Sequence, residues 1–470
     1  PAGSYDLPRL FVSYFNEELP PAAHLRADAF NPLLGGGAEA QVALDSYTSA
    51  VSALYETLPG RLTEMGLDAL YRDIEFPLCR VLADMENAGF LVDRNALADF
   101  GGMLQRAMDT TEQAIFTEAG ETFNINSPKQ LGVILFDKLG LPHGKKTKTG
   151  WSTNADVLEK LKDHPLVADV LTYRQYAKLK STYADGLLKV IDPDGRIRTS
   201  FQMTVTATGR LSSTEPNLQN IPTRTDLGSE IRRMFIPAEG CVLVDADYSQ
   251  IELRLLAHIS GDTAMQQAFL SGADFHTVTA ARVFHVPQDQ VTHQMRSRAK
   301  AVNFGIVYGI SAFSLSQDIG VTVQEAKEYM DRYFATYTGV KQYMTDVVDK
   351  AREQGYVETL WHRRRALPEL KSSNFNMRSF GERVALNMPI QGTAADIIKL
   401  AMVNVYNRLK AEGLKARLIL QVHDELICEC PESEAQTVAD ILREEMSGAA
   451  KLSVPLTVDA KIGHSWAEAH

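Results

Sequence analysis

Two apolar segments that each run into carboxylates constrain this chain more than any other feature of its sequence. The segments are residues 241–244 (CVLV) and 418–422 (LILQV), and their composition predicts buried strands. The acids that follow are Asp245 and Asp247 in the first case and Asp424 and Glu425 in the second. A charge at the end of an apolar strand is costly without a partner, and Mg²⁺ shared with substrate phosphates is such a partner. Either acid pair alone is more typical of a solvated turn, so the prediction rests on both together.

A helix predicted at 294–311 lies between these strands in the sequence and supplies the opposite charge. Its residues Arg296, Lys300, Phe304 and Tyr308 recur at every fourth position. At about 100° per residue, the four side chains fall within about 120° of one another and share one face. Two cations followed by two rings suit a substrate with a phosphate tail, a sugar and a base. The alternative, a core stripe with capping charges, explains this order of side chains less well.

The acidic balance of the chain limits how it can hold nucleic acid. Its 470 residues carry a formal net charge of −11, from 48 Lys and Arg against 59 Asp and Glu. Such a chain is unsuited to coating nucleic acid by bulk charge, but screening confines exposed charges to about 10 Å, so local basic strips can still act. Two strips are present, at 145–151 and 361–371, and each is equally typical of a solvated surface.

Cysteine content and hydropathy bear on location. The four cysteines, at positions 79, 241, 428 and 430, are too scattered for a disulfide framework or a zinc site. Neither a signal peptide nor a run of about 18 apolar residues is evident. These features favour a reducing, cytoplasmic location without a membrane. The chain starts at Pro1 rather than at methionine, which is typical of a fragment.

The secondary-structure signals indicate an α+β fold. Helical patterns dominate from 73 to about 190, short extended runs with turn signals begin at 196, and helical patterns return from 263 to about 388. A further helix is predicted at 392–413, before the second acid-bearing strand. Helical arms around a small strand-bearing centre are typical of the α+β class.

Several segments together resemble DNA polymerases of family A. The segments 247-DYSQIELR-254, R-x-x-x-K-x-x-x-F-x-x-x-Y-G at 296–309, and 422-VHDEL-426 are similar to the three polymerase motifs of that family. Further similar segments lie at 204–222, 274–280 and 383–399, in the family's order. Because six motifs in sequence are far more specific than one, the chain is identified as a member of the family from about residue 70 to residue 470.

The resemblance implies a right-hand architecture, with an antiparallel sheet in the palm and helical fingers and thumb. The implied division is an inactive remnant of a 3′–5′ exonuclease-like domain at 1–72, a thumb at 73–195, palm segments at 196–260 and 391–470, and fingers at 261–390. Since only about 70 residues precede the polymerase region, we expect neither a 5′ nuclease nor proofreading. The Asp-x-Glu at 73–75, a pattern found in proofreading sites, is interpreted as a pair on a helix surface.

The implied reaction is template-directed attack of a primer 3′-hydroxyl on the α-phosphate of a deoxynucleoside triphosphate, with release of pyrophosphate. By this resemblance Asp247 and Asp424 bind two Mg²⁺ ions, which Mn²⁺ can replace. The backbone carbonyl of Tyr248 is a further ligand, and Glu425 is a secondary catalytic acid beside the metals. Asp245 shares a strand face with Asp247 by alternation, but the family motif matches Asp247.

The nucleotide-binding residues implied by the same motifs surround these acids. Arg296, Lys300 and His276 hold the triphosphate, and Lys300 is also a candidate proton donor to the leaving pyrophosphate. The remaining nucleotide contacts are Gln250 near the same pocket, Glu252 under the sugar where it excludes a 2′-hydroxyl, Phe304 beside the sugar 3′ position, and Tyr308 near the templating base.

The implied partners are primer–template DNA and deoxynucleoside triphosphates, bound by a monomer. Arg210, Asn387 and Gln391 are expected in the minor groove of the duplex, where every base pair offers an acceptor, and His423 is a further expected DNA contact. Lys145, Lys146 and Lys148 are expected to grip phosphates at the thumb tip, which predicts salt-dependent binding.

Two other interpretations remain open at this stage. One is a phage-type single-subunit RNA polymerase, a group that lacks counterparts of Glu252 and Phe304. The other is a non-catalytic DNA-binding protein that kept the fold and lost the chemistry, which the joint presence of both cations and both acids disfavours. All of these interpretations require Asp247 and Asp424, far apart in the sequence, to meet in space.

Overall fold

A four-stranded antiparallel sheet lies at the centre of the fold in the computed structural model, which describes residues 5–26, 37–144, 146–147, 150–223 and 225–470. Its strands are β1 (Cys241–Tyr248), β2 (Arg417–Val422), β3 (Glu425–Pro431) and β4 (Val458–Gly463), in the spatial order β2-β3-β1-β4. Helix Ala435–Gly448 packs on β1 and β4, and helix Phe76–Ala88 packs on β2. This cover explains why β1 and β3 read as continuous apolar runs: both are buried along most of their length.

The strand register fixes the position of the acids. Glu425 of β3 lies opposite Asp247 of β1, and Asp459 of β4 lies opposite Asp247 on the other side. The sequence pattern placed Asp245 and Asp247 after a strand ending at residue 244, whereas β1 continues through both acids to Tyr248. The extension arises because β1 is paired along both edges over these residues, with β3 on one side and β4 on the other. The backbone of the acids is therefore held by two hydrogen-bonded neighbours.

Most of the remaining elements are helices, which come before and after β1 in the sequence. Before the sheet, the α-helices are Leu7–Phe15, Gly37–Glu64, Phe76–Ala88, Arg94–Ala119, Pro128–Gly132, Ala155–Glu159, Pro165–Lys178, Asp185–Leu188 and Asp226–Arg233. After β1 they are Ile251–Ile259, Thr263–Leu270, Phe275–Phe284, His293–Val307, Ala312–Ile319, Val323–Thr336, Thr338–Gln354, Phe375–Ala411, Ala435–Gly448 and Trp466–Ala469. Single π-helical turns occur at Leu70–Glu75, Val133–Lys138 and Leu179–Ala184, and short 3₁₀ segments at Ala22–Leu25, Gln288–Gln290, Pro368–Lys371 and Glu432–Glu434. The α+β class predicted from the sequence is confirmed.

Small two-stranded pairs join these helices. They are Phe90–Leu91 with Arg196–Ile197, Lys146–Thr147 with Gly150–Trp151, Ser200–Gln202 with Ser212–Thr214, and Tyr356–Glu358 with Arg364–Ala366. One large apolar cluster joins the central sheet to its covering helices, and a smaller separate cluster lies under helices Arg94–Ala119 and Pro165–Lys178. Within the described part of the chain, no helix is both long and apolar enough to cross a membrane.

Helix Phe375–Ala411 differs from its sequence prediction. The pattern indicated a helix beginning at 392, but one helix of 37 residues runs through Pro389. Pro389 and its neighbours Met388 and Ile390 are all buried, so tertiary packing compensates for the backbone hydrogen bond that proline cannot make.

Only one of the two acids of the Asp-x-Glu at 73–75 lies on the surface. Asp73 is exposed, as the helical interpretation requires, but Glu75 lies in an ionic network. Its carboxylate accepts a hydrogen bond from Nζ of Lys399 at 2.8 Å and pairs with Arg363, which in turn contacts Asp396 at 2.7 Å. Lys399 and Asp396 are fully buried, and a buried charge requires a partner of opposite sign. Arg363 of the basic strip 361–371 therefore serves an internal contact rather than the surface.

Candidate functional site

The β2–β3 turn brings Asp424 to the end of β1. Val422 pairs with Glu425, which leaves His423 and Asp424 as the two turn residues, and His423 has a φ of +50°. The backbone N–H of Tyr248 donates to the carbonyl oxygen of Asp424 at 3.1 Å. Because Tyr248 directly follows Asp247, this bond holds the two acids side by side. We call Asp247 and Asp424 the carboxylate end of the sheet.

The charges at the carboxylate end lack hydrogen-bonded partners and are only partly compensated. Neither carboxylate accepts a hydrogen bond from a residue in the described ranges. Removal from water, followed by the negative charges of Asp424, Glu425 and Asp245, raises the pKa of Asp247 to about 7. Removal from water also raises the pKa of Asp424 to about 6, although Arg210 counteracts this rise. Carboxylate oxygens in this state suit an incoming hard cation.

Glu425 and Asp245 face a different set of partners. Oε2 of Glu425 lies 3.0 Å from Nδ1 of His470, and its Oε1 accepts a hydrogen bond from Nε1 of Trp466 at 3.3 Å. Asp245 is 3% exposed and also faces His470. Glu425 was predicted to lie beside the catalytic metals. In the structure its side chain contacts Trp466 and His470, and the sequence motif did not predict these contacts.

Helix His293–Val307 carries the predicted cations. It begins after Thr292, whose side chain caps the N–H of Met295, and it ends before Tyr308 rather than at 311. Arg296 is half-buried, and Lys300 is exposed and has no ion pair among the residues described. We call Arg296 and Lys300 the cationic face. Tyr308 is the C-cap residue and lies just outside the helix. Of the four residues predicted to share one helical face, only Arg296, Lys300 and Phe304 are therefore within the helix.

Arg296 is already paired in this structure. Its Nε and Nη2 donate to the two carboxylate oxygens of Asp274, each at 2.9 Å. Asp274 also caps helix Phe275–Phe284 by accepting from the backbone N–H of Thr277 at 2.7 Å. The Arg296 guanidinium, with these further donors, holds the pKa of Asp274 well below its usual range. The sequence pattern did not predict that Asp274 of the segment 274–280 binds Arg296 and caps a helix. The available signal for the cap was an acid three residues before Thr277.

His276 is a buried, neutral ring. It is 3% exposed, and its Nδ1 lies 2.9 Å from the side-chain amide of Asn303. Burial lowers the pKa of His276 to about 4, with the nearby positive charges of Arg296 and Lys300 acting in the same direction. The ring centroid lies 5.7 Å from that of Phe304, which is itself half-buried. Without a ligand, His276 is therefore an uncharged imidazole near neutral pH.

Glu252 links the sheet side of the site to the helix side. It is 6% exposed and accepts hydrogen bonds from Nη2 of Arg210 at 2.7 Å and from the hydroxyl of Tyr308 at 2.8 Å. Burial and the Glu252 charge raise the pKa of Tyr308 to about 12, so the phenol stays a donor. Arg210, expected to touch DNA, thus contacts Glu252 in the absence of DNA.

The remaining predicted residues are distributed around this centre. Gln250 has a left-handed backbone, with a φ of +54°, at the start of helix Ile251–Ile259. Asn387 and Gln391 lie four residues apart on helix Phe375–Ala411, and Gln391 lies beside the Tyr308 hydroxyl. The carbonyl of the exposed His423 accepts from the Gln421 amide at 2.6 Å.

The predicted thumb tip is described only in part. Lys146 is exposed, and its ammonium lies 4.9 Å from the ring centroid of Trp151. Trp151 is in turn held by a hydrogen bond to Asp137 at 3.0 Å and by stacking on His143. Lys145 and Lys148 lie outside the described residues.

An open cleft of about 1000 Å³ lies alongside the ring end of helix His293–Val307. Phe304 and Tyr308 line it together with Gly309 at a φ of +65°, and Arg383 of the long helix closes the opposite side. A Cβ on Gly309 would lie 3.1 Å from Leu386, so this turn requires a glycine for both conformation and space. The cleft offers room for a planar group beside both rings.

Comparison with known proteins gives consistent matches. The family model described as DNA polymerase family A matches residues 94–468. DNA polymerase I of Geobacillus stearothermophilus is 53% identical over 424 residues, covering 90% of this chain and 48% of that protein. DNA polymerase I of Bacillus subtilis is 54% identical over 423 residues, with 89% and 48% coverage. The chain therefore spans about half the length of these curated relatives.

A solved structure is also similar over nearly the whole chain. It is described as the POL domain of Pol1 from M. smegmatis in complex with DNA primer-template and dNTP. The match has a TM-score of 0.91 at 43% sequence identity, and it covers 99% of this chain and 80% of that one.

Proposed function

Because this chain belongs to DNA polymerase family A, we propose that it is a template-directed DNA polymerase that extends a primer 3′-hydroxyl with deoxynucleotides and releases pyrophosphate. The observation that carries the proposal is the backbone bond between Tyr248 and Asp424, which places Asp424 beside Asp247. The DNA primer-template and dNTP named for the similar M. smegmatis structure support the same choice of partners.

The carboxylate end fits a pair of Mg²⁺ ions. Its metal-binding atoms are carboxylate oxygens without hydrogen bonds from described residues, and burial, with the repulsion of neighbouring carboxylates, raises their pKa values. Asp247 and Asp424 would hold the ions, with the Tyr248 carbonyl as a further ligand, and Mn²⁺ could replace Mg²⁺. When bound, such ions activate the attacking oxygen and neutralise charge on the leaving one.

The cationic face would bind the triphosphate. Asp274 occupies two of the guanidinium donors of Arg296, which leaves the others for phosphate oxygens. Lys300, exposed on the same helix, would contact the phosphates and give a proton to the leaving pyrophosphate. His276 would add a neutral hydrogen bond, and Phe304 would pack beside the sugar.

Glu252 would select deoxynucleotides. Its carboxylate is fixed by Arg210 and Tyr308, so it cannot move aside at low cost for a 2′-hydroxyl. This favours a DNA polymerase over the RNA polymerase interpretation. Tyr308 would lie near the templating base at the edge of the cleft.

The other residues would hold the primer–template. Arg210, Asn387, Gln391 and His423 would contact the duplex, and the lysines of 145–151 would contact phosphates from the thumb. We assign thumb, palm and fingers to the ranges predicted from the sequence and propose that the molecule acts as a monomer in the cytoplasm. We also propose that 73–75 supplies no proofreading site, because Glu75 is bound to Lys399 and Arg363.

A primer-extension assay with Asp424→Ala tests this function. The unmodified chain, given Mg²⁺, four deoxynucleotides and a labelled DNA hairpin, is expected to extend the primer to full length and to reject ribonucleotides. Asp424→Ala should lower extension by on the order of a thousandfold or more, because a metal ligand is lost. Binding of the hairpin, measured by fluorescence anisotropy, should change less than about threefold.

Asp440→Ala is the matched control for this assay. Asp440 is an exposed acid whose partner is Arg443 on the same helix, at 2.8 Å. It should extend primers as the unmodified chain does. Extension by Asp424→Ala at a rate comparable to Asp440→Ala would contradict the metal assignment, and efficient extension with ribonucleotides would favour the RNA polymerase interpretation.

A further inference from the structure

Three side chains outside the carboxylate end converge on one point of the central sheet. They are Asp245 on β1, Glu425 on β3 and His470, the last residue of the sequence. One potential ligand atom from each lies within 4.8 Å of the other two. Nδ1 of His470 is 3.0 Å from Oε2 of Glu425 and 3.6 Å from Oδ2 of Asp245. The three positions are far apart in the sequence, so the convergence is a product of the fold.

Asp245 is the unexplained member of this group. It is 3% exposed, and both of its carboxylate oxygens are buried without a hydrogen-bond donor in the described part of the chain. The nearest donor, Nδ1 of His470, is beyond hydrogen-bond length from Asp245 and already closer to Glu425. Burying a carboxylate without a hydrogen-bond donor is costly, even with the positive charges of His470 and Arg232 nearby. A cation between the three side chains would remove this cost.

Glu425 presents a free oxygen to the same point. Its Oε1 accepts from Trp466 and lies 3.6 Å from Nη1 of Arg232. Its Oε2 faces His470 instead. Arg232 is stacked on the Trp466 ring, with its guanidinium carbon 3.9 Å from the centroid. Arg232 is thus committed to the other oxygen of Glu425, and Oε2, whose partner is His470, is the potential ligand.

We propose that Asp245, Glu425 and His470 form a binding site for a divalent transition-metal cation such as Zn²⁺, separate from the ions held by Asp247 and Asp424. Metal–ligand bonds of about 2.0–2.2 Å around a tetrahedral ion separate neighbouring ligand atoms by about 3.3 Å. The two separations from His470, 3.0 and 3.6 Å, are close to that value, and the Asp245 and Glu425 ligand atoms lie within 4.8 Å of each other. One imidazole with two carboxylates favours such an ion over Mg²⁺, which prefers oxygen ligands throughout.

The site would fasten the segment 466–470 to the sheet. His470 follows helix Trp466–Ala469, whose Trp466 is fully buried against Phe235 and Phe90. A bound ion would link this segment to two adjacent strands. Since the ion binds the folded state, it should raise the melting temperature, and the rise should grow with the logarithm of the ratio of free Zn²⁺ to Kd.

Calorimetric titration with ZnCl₂ tests the proposal in the Asp247→Ala/Asp424→Ala variant, which lacks the ligands proposed for catalysis. One Zn²⁺ per chain is expected, with a Kd of about 1 µM, together with a rise of several degrees in melting temperature. Asp245→Asn and His470→Gln should each weaken binding by at least about tenfold and abolish the rise. A crystal soaked in Zn²⁺ should show an anomalous peak between the three side chains.

His464→Gln is the matched control, because His464 is an exposed histidine on the same terminal segment. It should bind Zn²⁺ as the background variant does. Thermal melting in EDTA shows whether each variant is folded. If Asp245→Asn is unfolded, Zn²⁺ binding by His470→Gln and the anomalous peak test the site instead. Absence of binding in the background variant, or equal binding in His470→Gln, would show that the group is an ion pair only. Because no activity is measured, the result is independent of the proposed polymerase function.

Discussion

The carboxylate end of the sheet and the cationic face of helix His293–Val307 hold charge in opposite ways. Asp247 and Asp424 lie on a rigid sheet without donors from the described residues, and burial and repulsion raise their pKa values. Arg296 is paired with Asp274 through two bonds of 2.9 Å. The two acids therefore suit added cations, whereas helix His293–Val307 holds the charge of Arg296 in a fixed orientation. This difference predicts that substitutions at the carboxylate end change catalysis and stability, whereas substitutions at the cationic face change nucleotide binding.

Asp247→Asn should have the largest effect, with activity and stability changing in opposite directions. Extension should fall by on the order of a thousandfold because a metal ligand is lost. The melting temperature in EDTA at pH 8 should rise by about 1–3 °C, because a repelled, partly desolvated charge is removed. Primer extension and thermal melting measure the two effects.

The pH dependence of this gain has a definite sign. The pKa of Asp247 is about 7 in the folded protein and about 3.9 when unfolded. The folded chain therefore binds the proton more tightly, and the stability contributed by this group is present below about pH 4 and lost as the pH rises through 7. The stabilisation by Asp247→Asn should be larger at pH 8 than at pH 5. Asp440→Asn should show no such gain, and a lower melting temperature for Asp247→Asn at pH 8 would contradict the description of an only partly compensated carboxylate.

Arg296→Ala should have the second largest effect. Loss of a charge-assisted phosphate contact of about 2–3 kcal/mol corresponds to roughly a 30- to 150-fold fall in kcat/KM for the incoming nucleotide. Steady-state single-nucleotide insertion measures this value. Arg298→Ala, two residues away and directed toward Tyr329 at 3.4 Å, is the control on the same helix. Equal losses in the two variants would mean that the helix, rather than its cationic face, had been damaged.

Asp274→Asn separates orientation from charge. Asparagine retains the helix cap and one bond to Arg296, but it loses the bidentate carboxylate. The guanidinium must then be ordered when the nucleotide binds, so KM should rise about three- to tenfold with little change in kcat. In the Arg296→Ala background the same substitution should have almost no effect. A fall in KM would show instead that Asp274 competes with the triphosphate.

The comparison also shows which parts of the site the sequence can predict. The carboxylate end was predictable because two apolar runs carried their acids directly after them, and buried strands of one domain commonly meet in one sheet. Arg296, Lys300 and Phe304 were predictable because their spacing of four matches the helical period. Both signals are local, so each could be read without knowing what lies across the fold.

The partners of these residues were not predictable in the same way. Asp274 precedes Arg296 by 22 residues and Glu425 precedes His470 by 45, and no period connects either pair. The contact of Glu75 with Lys399, 324 residues later, likewise depends on the packing of the π-helical turn Leu70–Glu75 on the long helix. Helix Phe375–Ala411 crosses Pro389 for a related reason, because its buried environment overrides the local signal for a break.

Lys146→Ala should have the smallest effect. It tests whether a basic residue away from the carboxylate end and the cationic face contributes to DNA binding without affecting nucleotide binding. Lys146 lies over Trp151 on a short hairpin, outside both the carboxylate end and the cationic face. If it contacts one phosphate of the duplex, its loss should weaken primer–template binding about two- to threefold at low salt and reduce the slope of log K against log salt by about 1. The KM for nucleotides should not change. Lys162→Ala, an exposed lysine paired with Glu159 at 2.6 Å, should leave the slope as it is. An unchanged slope in Lys146→Ala would identify the described part of the strip as solvated surface, and the DNA contact of the thumb would have to come from other residues.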